Sequence, residues 1–303
     1  MVGALAQFIM RGKSQAILVI SSMMIISWLL SLASLLASAA VGLPTLRRGG
    51  REGLLLMLGA LPLVALAGQL VIGDALQAVG FCLIMWIPVV LASIVLRETT
   101  QLSLAVMTAV GLGVISVIGF YGLVEDPASF WDAQLLEAMK PMLDQAAQGV
   151  DSDRLGLTVR MFSRFATGAI AAGSVLSVLI SLLLARWWQA TLYNPGGFRP
   201  EFLALMLPKW ATFSLVFLLC GVLIGGEIGV LAANLMLPVF MGFIVTGFAI
   251  VHAVCGSSPS GRFWLIGVYI ALMFIAPMLL LIALLGVFDP WINIRKRLGY
   301  KPA

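Results

Sequence analysis

The sequence predicts an all-α protein: a polytopic bundle of about eight transmembrane helices with one amphipathic helical insert outside the membrane. Three observations predict it. Of 303 residues, 61% are hydrophobic and only 10% are charged, where soluble domains carry about 25% charged residues. The mean hydropathy is +1.09. The apolar residues are collected into runs, most of them near the ~20 residues that cross a hydrocarbon core, and Lys, Arg, Asp and Glu fall between the runs. A soluble chain of this composition could not cover itself with polar surface, whereas in lipid the outer surface needs none.

Arg11 and Lys13 precede the first run, Ala16 to Leu46. Ala37-Ser38-Ala39 imitates a signal-peptide cleavage site, but the run is too long for a signal-peptide core and Arg47 and Arg48 follow at once, so a retained segment is expected. At 31 residues the run exceeds one span. It reads as one long tilted helix or as two short ones broken near Trp28. Leu54 to Ile72, Leu76 to Leu96 and Leu102 to Leu123 follow, the second closing on Arg97 and Glu98. After a polar interval come Phe162 to Leu184, Ala211 to Gly225, Ile228 to Val251 and Phe263 to Val287, the last with Pro277 inside it. That makes eight spans, or nine if the first run is two helices.

The interval from Glu125 to Arg160 is the one long polar stretch, with seven acids: Glu125, Asp126, Asp132, Glu137, Asp144, Asp151 and Asp153. Asp126 before Pro127 is the pattern of an N-cap with proline at the first helical position. Phe130, Trp131, Leu135, Met139, Met142 and Leu143 recur at helical spacing, and Pro141 interrupts them. The pattern predicts a kinked or broken amphipathic helix, on the membrane or over the spans. The chain then reads as a single membrane domain, 1–303, with this insert at about 125–160.

Net charge is +5 and the pI about 9.4. The basic residues sit in short clusters beside the apolar runs, where they mark membrane edges, and no basic-aromatic surface points to nucleic acid. Trp187, Trp188, Trp210, Trp264 and Trp291 fall at predicted span ends, as an aromatic belt would. The positive-inside rule favours a cytoplasmic side for the Arg47, Arg97, Arg199 and Arg262 loops, but then the basic tail falls outside, and span parity stays open.

Candidate chemistry is sparse. Cys82, Cys220 and Cys255 have no metal or disulfide spacing and read as packing residues. His252 lacks the neighbours of a metal site. No GxSxG, HExxH or P-loop pattern occurs, so no catalytic residue, metal or cofactor is expected. Glu227, amid Gly225, Gly226 and Gly229, is the one acid in an apolar surround. It reads either as a ligand- or ion-binding group or as a cap on a tight helical hairpin. Small residues recur at four-residue spacing at Ala33 and Ala37, Gly168 and Ala172, Ala169 and Gly173, and Gly221 and Gly225. Such pairs let helices approach closely, within the chain or against a partner. Arg47, Arg48 and Arg51, and Arg295, Lys296 and Arg297, read as anchors to anionic lipid headgroups, and Asp74, Glu98 and Asp289 as solvated groups at span ends.

Three ordered stretches carry a resemblance: Leu46-Arg47-Arg48-Gly49 with Arg51-Glu52-Gly53; Trp188-Gln189 through Asn194-Pro195-Gly196-Gly197-Phe198 to Glu201-Phe202; and Asp289-Pro290-Trp291 with Arg295 and Arg297. Together, over nearly the whole chain, they resemble the YybS-like family of bacterial membrane proteins, which has no established activity. That family is distantly similar to the S components of energy-coupling-factor vitamin transporters, which bind a small molecule within a helical bundle and meet a coupling subunit through Ala-xxx-Ala faces. Ala33 and Ala37 have that spacing, while the extra spans and the acidic insert depart from the pattern. The resemblance implies a bacterial cytoplasmic (inner) membrane protein that is a small-molecule-binding or transport-related subunit. The other reading is a non-catalytic scaffold or assembly partner of another membrane protein. Expected partners are the bilayer, a second membrane protein and a small-molecule ligand, and not nucleic acid.

Overall fold

The structure, a computed structural model, describes residues 2–146, 152–275 and 277–297. Among these residues there is no strand. The helices are α1 (Val2–Arg11), α2 (Lys13–Ile26), α3 (Ala33–Arg48), α4 (Gly50–Val71), α5 (Ala75–Thr99), α6 (Leu102–Leu123), α7 (Pro127–Ala146) and α8 (Ser152–Tyr193), followed by α9 (Phe198–Leu203), α10 (Lys209–Ile224), α11 (Gly226–Gly256), α12 (Gly261–Phe274), α13 (Met278–Ile292) and α14 (Ile294–Arg297). Five of them are long and apolar enough to cross a membrane: α4, α5, α6, α8 over Gly156–Tyr193, and α11. Shorter apolar helices are α2, α10, α12 and α13. By its internal contacts the chain forms two compact units, residues 1–109, 174–208 and 242–303, and residues 110–173 and 209–241.

In the first unit the long opening run is two helices. Between α2 and α3 the chain turns through 27–32, where the Leu30 N–H donates to the Ile26 carbonyl (2.9 Å) and the Ala33 N–H to that of Leu30 (2.8 Å). The two helices pack on each other, and α4 and α5 pack on α3. Every residue of α3 from Ala37 to Leu46 is buried. The cause is composition: alanine, glycine and serine dominate here, and small side chains let neighbouring helices close in from several sides. At Gly42 a Cβ would lie 3.0 Å from that of Ala185 on α8 and 3.3 Å from Ser93 Oγ on α5. Trp188, expected in the interfacial belt, is a core residue of this unit along with Trp86, whereas Trp187, Trp264 and Trp291 are exposed.

The last apolar run is also two helices. Ile275 is extended (φ −116°, ψ 92°) after α12, and Pro277 precedes α13. Proline's ring and missing N–H disfavour helix continuation at this place. Near its middle α13 crosses α11 closely, Gly286 facing Thr246 and the Phe243 carbonyl.

In the second unit the predicted N-cap of α7 forms. Asp126 accepts from the Ser129 N–H (3.1 Å) and hydroxyl (2.5 Å). The helix runs on through Pro141 to Ala146, without the expected break. Its aromatic start folds back on α6, with Phe120, Phe130 and Trp131 forming one cluster at centroid distances of 5.1–5.5 Å. The acidic side chains of Asp144, Asp151 and Asp153, with the apolar Met142 and Leu143, lie outside the described residues. Helices α10 and α11 form a hairpin. Gly225 turns between them at φ 76°, and Gly221 lies where a Cβ would crowd that of Ala232 (2.8 Å).

Candidate functional site

Several charged residues of the first unit meet near the C-terminal ends of α3 and α5. Lys13 pairs with Glu52 (3.6 Å), and Arg48 pairs with the same carboxylate (3.0 Å) and donates to the Met10 carbonyl (3.0 Å). The start of α2 and the end of α3 therefore share a side, as they must once the first run is a helical hairpin.

Beside this cluster α3 stops at Gly49 (φ 101°) and leaves its last carbonyls without helical donors. Arg97, from the end of α5, donates to the carbonyls of Leu46 (3.0 Å) and Arg47 (2.6 Å). Gln189, from α8, reaches the Leu46 carbonyl at 3.4 Å. Side chains from two other helices thus complete the C-terminus of α3, a placement that the helix dipole favours for a cation.

These groups enclose a cavity of about 380 Å³, lined chiefly by Arg47, Arg97, Glu98, Arg186, Gln189 and Glu201. Arg186 and Glu201 form a half-buried ion pair at 2.6 Å. Arg97 also meets the more exposed Glu98 at 3.5 Å. The Arg47 guanidinium lies over the Tyr193 ring, 4.3 Å from its centroid. Two other openings are apolar. One groove of about 510 Å³ runs along α11 and α13, and one of about 260 Å³ lies on the α10–α11 hairpin. In a chain only 10% charged, three guanidiniums and two carboxylates around one cavity form a concentrated polar site.

The second unit holds a different polar arrangement. Asn234, fully buried on α11, accepts from the Gly168 N–H (2.6 Å). Its amide nitrogen lies 2.8 Å from the carbonyls of Arg164 and Val230 and 3.1 Å from the Tyr121 hydroxyl. The Asn234 amide is therefore inserted beside the α8 pair Arg164 and Gly168, whose carbonyl and N–H are ordinary helical partners. Along the same helix the Trp131 indole donates to Thr167 (2.8 Å), and the Ser163 hydroxyl donates to Asp132.

The anticipated site residues are scattered. Glu227 is exposed in the first turn of α11, beside the Gly225 turn. Ala33 and Ala37 are buried inside the first unit. Gly168 and Ala172 face inward, and a Cβ at Gly168 would lie 2.6 Å from the Asn234 Cα. Gly221 and Gly225 serve the hairpin, while Ala169 and Gly173 are exposed. Of the anticipated anchors Arg47, Arg48, Arg51, Lys296 and Arg297 are exposed. Arg295 is not at the surface. It is 7% exposed, meets the buried Asp289 at 3.6 Å and donates to the Leu205 carbonyl. Asp289, expected in solvent, also accepts from the Ile294 N–H (2.8 Å). His252 bonds the Tyr269 hydroxyl (2.8 Å) and packs against Phe202.

Asn234 is uncharged and so is not among the ionisable candidates of the sequence; its signal there is an amide side chain in the middle of an apolar run, where polar groups bridge helices. Nothing in the spacing of Arg186 and Glu201 announces that they pair.

No family model, curated protein or solved structure matches this chain. What the site can do is read from its own geometry: it presents cationic and acceptor groups around one cavity.

Proposed function

We propose that this chain is a small-molecule-binding, transport-related subunit of a bacterial cytoplasmic membrane, as the likeness to S components implies, and that its apolar runs make eight or nine spans. One observation carries the reading: a polar cavity of about 380 Å³ at the common end of α3, α5 and α8. Ligand pockets occupy roughly this size range, with a few placed polar groups that fix orientation. Lys13, Arg47, Arg48, Arg97 and Arg186 gather at that end, so the positive-inside rule puts the cavity on the cytoplasmic side. An autonomous ion-driven pump finds little support, since such carriers hold ionisable groups at membrane depth and Glu227 is exposed at a hairpin turn. A scaffold role keeps one supporting observation, the exposed Ala169 and Gly173 pair on α8.

Native mass spectrometry of the gently extracted protein tests the proposal. A small molecule should co-purify at near-stoichiometric amount and be lost in Gln189→Trp, which fills the cavity. A stable protein partner with no small molecule would replace this reading with the scaffold.

A further inference from the structure

We infer that the cavity holds an oxyanion, a carboxylate or phosphate group, on Arg47; this rests on the binding-subunit reading. The inference comes from how the cavity's charges are used. Arg186 is matched by Glu201 at 2.6 Å. Arg97 is committed to two α3 carbonyls and to Glu98. The Arg47 side chain makes no ion pair or hydrogen bond among the described residues and lies over the face of Tyr193. Three guanidiniums against two carboxylates leave one positive charge at the cavity, and it resides on Arg47.

Stacking on an aromatic ring holds a guanidinium plane in place while leaving its N–H edge open. An open guanidinium edge matches two oxygens of a carboxylate or phosphate at once. The carboxylates that could have satisfied Arg47 internally are engaged by other cations: Glu52 by Lys13 and Arg48, Glu98 by Arg97 and Glu201 by Arg186. The Gln189 amide oxygen and the second carboxylate oxygen of Glu98 remain on the wall to meet donor groups on the rest of the ligand. A free anion and an anionic lipid headgroup share this chemistry, and the site's position at a membrane edge admits both.

The test uses the full chain in lipid nanodiscs, in anion-poor buffer. In one arm the discs are pure phosphatidylcholine and inorganic phosphate is titrated. In the other they contain phosphatidylglycerol and no phosphate. Native mass spectrometry and the thermal midpoint report binding. One phosphate, or one retained phosphatidylglycerol, should bind per chain, and the arm in which it does so names the source. Arg47→Gln should weaken it by about tenfold or more, as loss of a hydrogen bond to a charged group does. Arg51→Gln, equally exposed but away from the cavity, should change it less than about twofold. Arg47→Lys keeps the charge but loses the planar fork, so its binding should fall between that of the unaltered chain and that of Arg47→Gln, with an unchanged midpoint in anion-free discs. Equal losses in the Arg47→Gln and Arg51→Gln variants would mean diffuse surface attraction and overturn the inference. So would unchanged binding in Arg47→Gln. If a neutral or cationic molecule co-purifies, is displaced by Gln189→Trp and ignores Arg47→Gln, this inference fails while the binding-subunit reading stands. With no adduct in either arm and no co-purified molecule, both fail.

Discussion

The polar groups of the two units are deployed in opposite ways. In the first unit charges gather at one end around a cavity, and two buried serines of the interior, Ser93 on α5 and Ser181 on α8, have no hydrogen-bond partner, nor do the indoles of Trp86 and Trp188. In the second unit a polar side chain lies at the heart of the packing, and both polar atoms of the Asn234 side chain are bonded. A satisfied buried amide fixes how helices fit together. Charges around the cavity are incompletely matched by their own chain, as the proposed binding role requires. The difference separates a structural use of polarity from a proposed binding use, and substitution can test it.

The largest effect is expected at Gly168. A Cβ there would run into the backbone of Asn234, and backbone cannot rotate aside. Gly168→Val should cost about 3 kcal/mol, the upper end for overpacking, read from reversible unfolding in mixed micelles. Gly173→Val, with nothing within 4 Å of its Cβ position, should change little. Equal costs would mean that the close approach of α8 and α11 is not the constraint.

Asn234→Leu should cost less, about 1–2 kcal/mol, the upper range for interhelical polar contacts in membrane proteins. Helix α8 can recover its own Arg164–Gly168 bond, but the Tyr121 hydroxyl loses its partner. Hydrogen exchange at Gly168 should rise. An unaltered exchange rate would show that the amide is dispensable.

Ser93→Ala should go the other way. The Ser93 hydroxyl is fully buried and partnerless, and removing such a group is neutral or stabilising by up to about 1 kcal/mol. A clear destabilisation would show that the hydroxyl is bonded after all and would erase the contrast between the units.

The smallest effect concerns the N-cap of α7. The Ser129 hydroxyl, and then the Ser129 N–H, hold the Asp126 carboxyl below its ordinary range. A carboxylate whose folded pKa is depressed contributes stability above its unfolded pKa and loses it as pH falls through the folded value. Protection of the first-turn amides of α7, measured against their intrinsic exchange rates, should therefore fall on acidification through and below the usual aspartate range, and Asp126→Asn should flatten that dependence. A pH profile identical in both proteins would discount the cap.

Much of the fold was legible in the runs. Leu102–Leu123 stands as read, Leu76 to Leu96 lies within α5, and the turn at Gly225 and the cap at Asp126 are where turn and capping chemistry put them. The two runs that held more than one helix were less legible. Ala16 to Leu46 offered its length and a candidate break near Trp28, and Phe263 to Val287 offered Pro277, signals that a kinked single span would share. Arg295 and Asp289 read as solvated tail residues because sequence spacing cannot show that Leu205 lies opposite them.

The amino-acid sequence alone determined the helical class, the apolar segments and the confinement of charge to their ends, because hydropathy and turn chemistry act over a few neighbouring residues. Only the tertiary structure decided that Arg97 completes α3, that Arg186 meets Glu201, that Arg47 is left over a tyrosine, and that Asn234 opens into the backbone of α8. Each of these joins residues from different helices, and the distance between them is set by how the helices pack, not by the sequence local to any one of them.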